Sequence, residues 1–375
     1  MNIDDYIEQS GTYLLSHSIG LPLKSAEMQL NSAFWDPLKG ADSGIWPKWL
    51  GAIDEFRLQL AGLLGAESKG ICPQSNISSA LTKILFSLPH DRQKTTIVLS
   101  ETDFPTVGFI AEQATRLGYP VKYIPASKDL LDLNVWSDML HNDVGVLLVT
   151  HVQSNSGIKI PISSVLEIAK SRNIISIVDV AQSIGIVPID VKQWQADFLV
   201  GSCVKWLCGG PGAGFLWVSD EVIDRCRPID VGWFSHDSPF EFNIHNFRYA
   251  SDALRYWGGT PTVQPFLLAA HSIKQMNEIG LKDISNHNRL LVERLISSID
   301  PIHLASPAAP ENRGGTVVLN FKDYQHQVEQ KLLDEKVRFD TRSGGIRLSP
   351  HIYNDESQIE NLVEIISSCI TPTKL

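Results

Sequence analysis

Cysteine is scarce: five residues in 375 (Cys72, Cys203, Cys208, Cys226, Cys369), odd in number and without CxxC spacing. That excludes a disulfide framework and a cysteine zinc cage, and fits reduced thiols in a cytoplasm. The eleven histidines include no HExxH pattern, so no metal site is expected. No apolar run approaches the roughly 20 residues of a membrane span. The acidic start Met1-Asn2-Ile3-Asp4-Asp5-Tyr6 lacks the basic lead and apolar core of a signal peptide. Positive charge is in deficit, with 32 Lys and Arg against 42 Asp and Glu, a net charge of −10. A nucleic-acid partner is therefore not expected. Internal repeats and low-complexity tracts are also missing.

What is there is a chain able to bury a core, 43% hydrophobic and only 20% charged. From about residue 75 to 220, β-branched runs alternate with helical patterns. The expected strands are 95–100, 121–126, 144–152, 174–181, 197–202 and 214–219. Several are apolar throughout, as strands covered on both faces are. A helix over 162–172, entered at Pro161, shows one apolar face through Val165, Leu166, Ile168 and Ala169. Alternation of this kind implies an α/β fold with a largely parallel sheet, whose ligands gather at the carboxyl ends of the strands. Residues 227–262 are rich in aromatics, Gly and Pro and read as loops. Helices over 263–279, 283–298 and 356–368, with short strands over 315–321 and 346–348, suggest a smaller α+β domain. The expected division is an N-terminal segment 1–40, a large domain 41–262 and a small domain 263–375.

The sharpest local signal is Ile177-Val178-Asp179-Val180-Ala181-Gln182 followed by Gly201-Ser202-Cys203-Val204-Lys205-Trp206. An Asp ends one buried strand, and twenty-six residues later a Lys follows the next. A buried Lys is costly unless paired or chemically committed, and burial pushes it toward a nucleophilic amine. Alone, Lys205 also reads as a snorkelling structural residue. A Schiff-base Lys with an Asp for a pyridinium nitrogen is what pyridoxal phosphate requires. Gln74-Ser75-Asn76-Ile77-Ser78 opens a helix running to Leu88, and amides and hydroxyls at a helix start hold anions. Gly209-Gly210-Pro211-Gly212-Ala213-Gly214 is no dinucleotide fingerprint, because it precedes a strand instead of opening a helix.

These residues resemble the pyridoxal-phosphate enzymes of fold type I, specifically the class V aminotransferase family, with a likeness to kynureninases. Further matches follow in order: Tyr13-Leu14 through Gly20-Leu21-Pro22, Phe104-Pro105-Thr106, Gly232-Trp233-Phe234-Ser235-His236, Gly259-Thr260-Pro261 and Ile346-Arg347-Leu348-Ser349-Pro350. The resemblance implies a large domain with a mostly parallel seven-stranded sheet, a smaller C-terminal domain and pyridoxal 5′-phosphate as cofactor. It implies that Lys205 forms the internal Schiff base and moves the Cα proton, and that Asp179 keeps the ring nitrogen protonated. Phe104 would stack on the ring and Gln182 would bond its 3′-oxygen, where kynureninases usually have His. Ser75, Asn76, Ser202, Trp233 and Thr260 would reach the phosphate. The Gly-Thr segment commonly comes from the other subunit, so a homodimer with shared active sites is implied. Arg347 would grip the substrate carboxylate, and Ser154, with His151, Gln153 and Asn155, would line the substrate side.

The chain departs from kynureninases at Val204, where they carry Tyr, and at Val107, where they carry Asp. No Cys lies between Cys226 and Cys369, which disfavours the persulfide chemistry of cysteine desulfurases. The expected activity is conversion of an α-amino acid through an external aldimine and a quinonoid, by transamination or by cleavage at Cβ. The alternative is a catalytically silent or regulatory cofactor-binding homologue.

Overall fold

A computed structural model describes residues 5–40, 44–89 and 93–370. The Met1–Asp4 start and the expected boundaries at 41 and 375 lie outside the described residues. Seven strands form one sheet: β1 (Ile71–Gln74), β2 (Thr96–Ser100), β3 (Val121–Ile124), β4 (Val144–Thr150), β5 (Ile175–Asp179), β6 (Phe198–Ser202) and β7 (Gly214–Val218). Their order is β1-β7-β6-β5-β4-β2-β3, and only β7 runs antiparallel to its neighbours. This is the mostly parallel, seven-stranded α/β sheet that the resemblance implied. β2, β4 and β7 are buried at every position, so their continuous apolar runs have helices or loops on both faces.

β1 is the strand that patterning passed over. It contains Pro73, which donates no N–H and is tolerated because β1 lies at the sheet edge, paired only with β7. A 20-residue helix, Ile45–Leu64, also escaped the sequence reading. It buries Phe56 against Phe266 of the helix Gln264–Ile279, with ring centroids 5.0 Å apart. The helix counted from sequence with the small domain therefore packs into the large core. The region 227–262 carries only short turns of 3-10 helix, at Trp233–Ser235 and Ala253–Tyr256.

A second sheet of three antiparallel strands has the order β8-β10-β9: β8 (Val317–Leu319), β9 (Asp340–Arg342) and β10 (Gly345–Leu348). It buries Val317, Leu319, Ile346 and Leu348 against the helices Leu281–Ser297 and Glu356–Ile370. The N-terminal segment runs along this unit, bridging Tyr13 to Arg338 and Leu15 to Ser349. It then crosses to the large sheet, where the Gly20 N–H donates to the Val204 carbonyl at 2.8 Å. No helix among the described residues is long and apolar enough to cross a membrane.

Candidate active site

The register of the large sheet brings distant residues to one edge. Gln74 pairs with Gly214, which pairs with Ser202; Val200 pairs with Asp179, and Asp179 with Thr150. The carboxyl ends of β1, β6, β5 and β4 therefore line up, as expected for a ligand site in a sheet of this kind. Gly214 is needed for the close approach: a Cβ there would lie 3.1 Å from both the Asn76 Cα and the Gly201 carbonyl oxygen.

Lys205 follows β6 in a turn closed by the Cys208 N–H donating to the Lys205 carbonyl at 3.0 Å. Its Nζ lies 5.7 Å from the centroid of the Phe104 ring. Burial lowers its pKa and the Asp179 charge opposes that, while Arg347 and Arg342 push it further down. Asp179 is 7% exposed, and its carboxylate accepts the Ala181 N–H at 2.8 Å. Burial pushes this carboxyl up to about 6, against that N–H and the positive charge of Lys205. A buried acid and a half-buried amine thus feel one another's charge, each displaced toward neutrality.

A second carboxylate lies beside them, one that the sequence reading missed. Asp103 precedes Phe104, accepts the Ser100 N–H at 2.9 Å and the Gln153 side-chain N–H at 2.8 Å, and has its pKa raised by burial. Its charge contributes to the upward displacement of Asp179. The Gln153 Oε1 is buried without a partner, as a group facing a ligand would be. Val107, by contrast, lies in the apolar core.

Ser75 and Asn76 are exposed at the start of the helix Ile77–Leu85, and Ser202 is half-buried at the adjoining strand end. Asn76 caps the helix by accepting the Ser79 N–H at 2.9 Å. Lys83, on the same helix, donates to the Tyr256 and Trp257 carbonyls at 2.9 and 2.6 Å, tying the 256–260 loop to it. Thr260 is exposed at the end of that loop. Trp233 is not drawn to Ser75 and Ser202; its ring packs among Trp46, Phe234, Phe240 and Phe242.

Gln182 is buried, with its amide already bonded. It donates to the His17 carbonyl at 2.9 Å and accepts the Trp206 indole N–H at 3.0 Å. His151 follows β4 but packs its ring edge-on to Trp194, 4.7 Å between centroids, and burial pushes its imidazole down to about 3. The alternation along β4 puts it on the opposite face from Asp179. Arg347, 2% exposed, sits on β10 and donates through Nη1 to the Ser154 backbone oxygen at 2.7 Å. It is the Ser154 main chain, not its hydroxyl, that makes this contact. Arg347 also forks onto Asp340, at 2.7 Å from Nε and closely from Nη2.

A lysine and an aspartate thus lie at the carboxyl edge of a seven-stranded sheet, with a capped helix start beside them and an arginine from a second sheet. A family model for aminotransferase class V matches residues 48–362, and the chain belongs to that family, whose cofactor is pyridoxal 5′-phosphate. Among curated relatives, the uncharacterized aminotransferase YcbU of Bacillus subtilis is 29% identical over 323 residues, 85% of each chain. A kynureninase of Deinococcus radiodurans is 27% identical over 77% of this chain and 70% of its own. The apo structure of a cysteine desulfurase from Thermococcus onnurineus NA1 superposes with a TM-score of 0.84, at 21% identity, over 96% of this chain and 94% of that one. Its likeness shows the fold.

Proposed function

We propose that the protein is a pyridoxal-phosphate enzyme acting on an α-amino acid, by transamination or by kynureninase-like cleavage at Cβ. The observation that supports this most is Lys205 over the Phe104 ring and within the electrostatic reach of Asp179 at the strand ends. When bound, the cofactor supplies an electron sink for the bond broken at Cα. Lys205 Nζ would hold the cofactor and, when freed from it by the substrate amine, would be displaced toward the neutral form and so able to take the Cα proton and return it. Asp179 would keep a ring nitrogen protonated, since a cation beside it would restore its negative charge. Phe104 would support one face of the ring, and Gln182, tied to His17 and Trp206, would have one amide N–H left for the 3′-oxygen. Ser75, Asn76 and Ser202 form the phosphate cup, and Arg347 holds the substrate carboxylate.

The protein acts as a homodimer in the cytoplasm. Thr260 is exposed, and Ile229, Phe240, Phe242 and Ile244 project from the preceding loop at 53–89% exposure, a run of exposed apolar side chains of the kind that marks a protein interface. A second copy covering this loop carries Thr260 and Trp233 to the phosphate cup of its neighbour. Light scattering should give twice the chain mass, and Ile244→Asp should halve it. The free cysteines are all buried, and none stands between Cys226 and Cys369, which disfavours desulfurase chemistry through a mobile thiol.

A panel of amino acids, including kynurenine and sulfur-containing ones, tests the reaction by single-turnover products. Conversion of the cofactor to its amine form, reversed by a 2-oxo acid, assigns a transaminase. Alanine, pyruvate or ammonia accumulating with the cofactor form unchanged assigns a lyase. A protein that stays colourless on adding the cofactor would contradict both.

A further inference from the structure

Arg347 and Asp340 stand directly opposite each other in the β9–β10 hairpin. A guanidinium has five N–H donors in a fixed plane. Here Nε and Nη2 each give one to Asp340, and Nη1 gives one to the Ser154 carbonyl. One N–H remains on each of Nη1 and Nη2. Asp340 is itself held by His17, whose Nε2 lies 2.8 Å from Oδ1. The other imidazole nitrogen, Nδ1, lies 2.7 Å from the Ser349 hydroxyl, which lies 2.8 Å from Thr316 Oγ1. An ionised carboxylate only accepts, so His17 carries its proton on Nε2, and the chain Thr316, Ser349, His17, Asp340 donates in one direction. His17 is 1% exposed. Its backbone carbonyl accepts from Gln182, and three residues on, a Cβ at Gly20 would lie 2.0 Å from the Lys205 carbonyl oxygen. The N-terminal segment is thus wedged between the Lys205 turn and the arginine.

We propose that Asp340 and His17 are positioning residues for substrate recognition, holding Arg347 so that its last two N–H groups meet the carboxylate of the amino acid. This rests on the reading of Arg347 as the carboxylate ligand. A buried guanidinium without Asp340 would turn to other acceptors, and a buried charge left without its partner is costly. Without His17, Asp340 loses its second donor and its fixed place. Arg342, whose Nε is 3.8 Å from the same carboxylate, would then compete for it.

The test uses holoenzyme and two probes, L-alanine and ethylamine, which differ in the carboxylate, with dissociation constants read from the visible spectrum. Asp340→Asn and His17→Ala should weaken L-alanine at least about tenfold and leave ethylamine within about twofold. His17→Gln, which keeps a donor toward Asp340, should restore most of the loss, an outcome general destabilisation would not give. Phenylglyoxal labelling of Arg347 in cofactor-free protein, read by mass spectrometry, should be several-fold faster in Asp340→Asn. If Arg347→Ala affects the two probes equally, the reading of Arg347 itself fails. If Arg347→Ala is selective while Asp340→Asn and His17→Ala are not, the positioning role alone is overturned.

Discussion

The two halves of the proposed site are held in opposite ways. On the cofactor side, Asp179, Ser202 and Gln74 are placed by the backbone ladder of one sheet, so the register alone aligns them. On the substrate side, Arg347 is placed by the Asp340 side chain 7 residues away, by the Ser154 backbone carbonyl 193 residues away and, through Asp340, by the His17 side chain 323 residues from that aspartate. The first half should tolerate side-chain loss without moving its neighbours. The second is a buried polar network, which is strong when complete and costly when one member is removed. Substitutions on the cofactor side should therefore act one residue at a time, whereas those at the clamp should act together.

The largest expected effect is at Lys205. Lys205→Ala should cut turnover roughly 10³-fold or more and abolish the yellow colour of the holoprotein, while leaving its thermal midpoint nearly unchanged. Next is Arg347→Ala, which removes two charge-assisted bonds of about 1.5 kcal/mol each and should raise KM for carboxylate substrates about 10²-fold. Arg347→Lys should recover little, because an ammonium cannot reproduce the planar fork. Steady-state kinetics with an amino acid and its amine separate the two halves. If both variants lowered kcat equally with KM unchanged, the division between cofactor and substrate sides would break.

Asp179→Asn sharpens the contrast through stability. The folded carboxyl is raised to about 6, above an unfolded value of about 3.9. Its contribution is fully present below about pH 4 and is lost as pH rises through 6, so in cofactor-free protein the ionised group is a liability of at most about 3 kcal/mol. Asp179→Asn should therefore stabilise cofactor-free protein at pH 8 by about 1 kcal/mol and flatten its pH dependence, while lowering activity. Denaturant melts at pH 4 and pH 8 check this; equal slopes in both proteins would count against it. The smallest effect is Asn76→Ala, which removes the cap and should cost about 1 kcal/mol. Added inorganic phosphate should protect the wild type more than this variant in the same melts.

The same division governs what the sequence shows. Most of the strands β2 to β7 were legible because runs such as Val144-Gly-Val-Leu-Leu-Val-Thr150 are almost wholly apolar, and Asp179 and Lys205 stand out where such runs end. β1 was hidden by Pro73, and the helix Ile45–Leu64 by its own Pro47 and two glycines. Asp103 lies next to Phe104, yet nothing local distinguishes a buried Asp there from a turn residue. Asp340 and His17 gain their meaning only when β9 meets β10 and the N-terminal segment crosses both sheets. No periodicity or motif carries that, because the contacts are non-local. His151 was misleading for a related reason: being next to Thr150 in sequence puts it on the other face of the sheet.

The most direct measurement of the central claim is reductive trapping. Cofactor-free protein is incubated with pyridoxal 5′-phosphate, reduced with borohydride, digested and analysed by mass spectrometry. The site described here requires the phosphopyridoxyl mass on the peptide carrying Lys205, at one label per chain, with the Lys205→Ala protein unlabelled. A label spread over surface lysines, or fixed on Lys83 in place of Lys205, would contradict it.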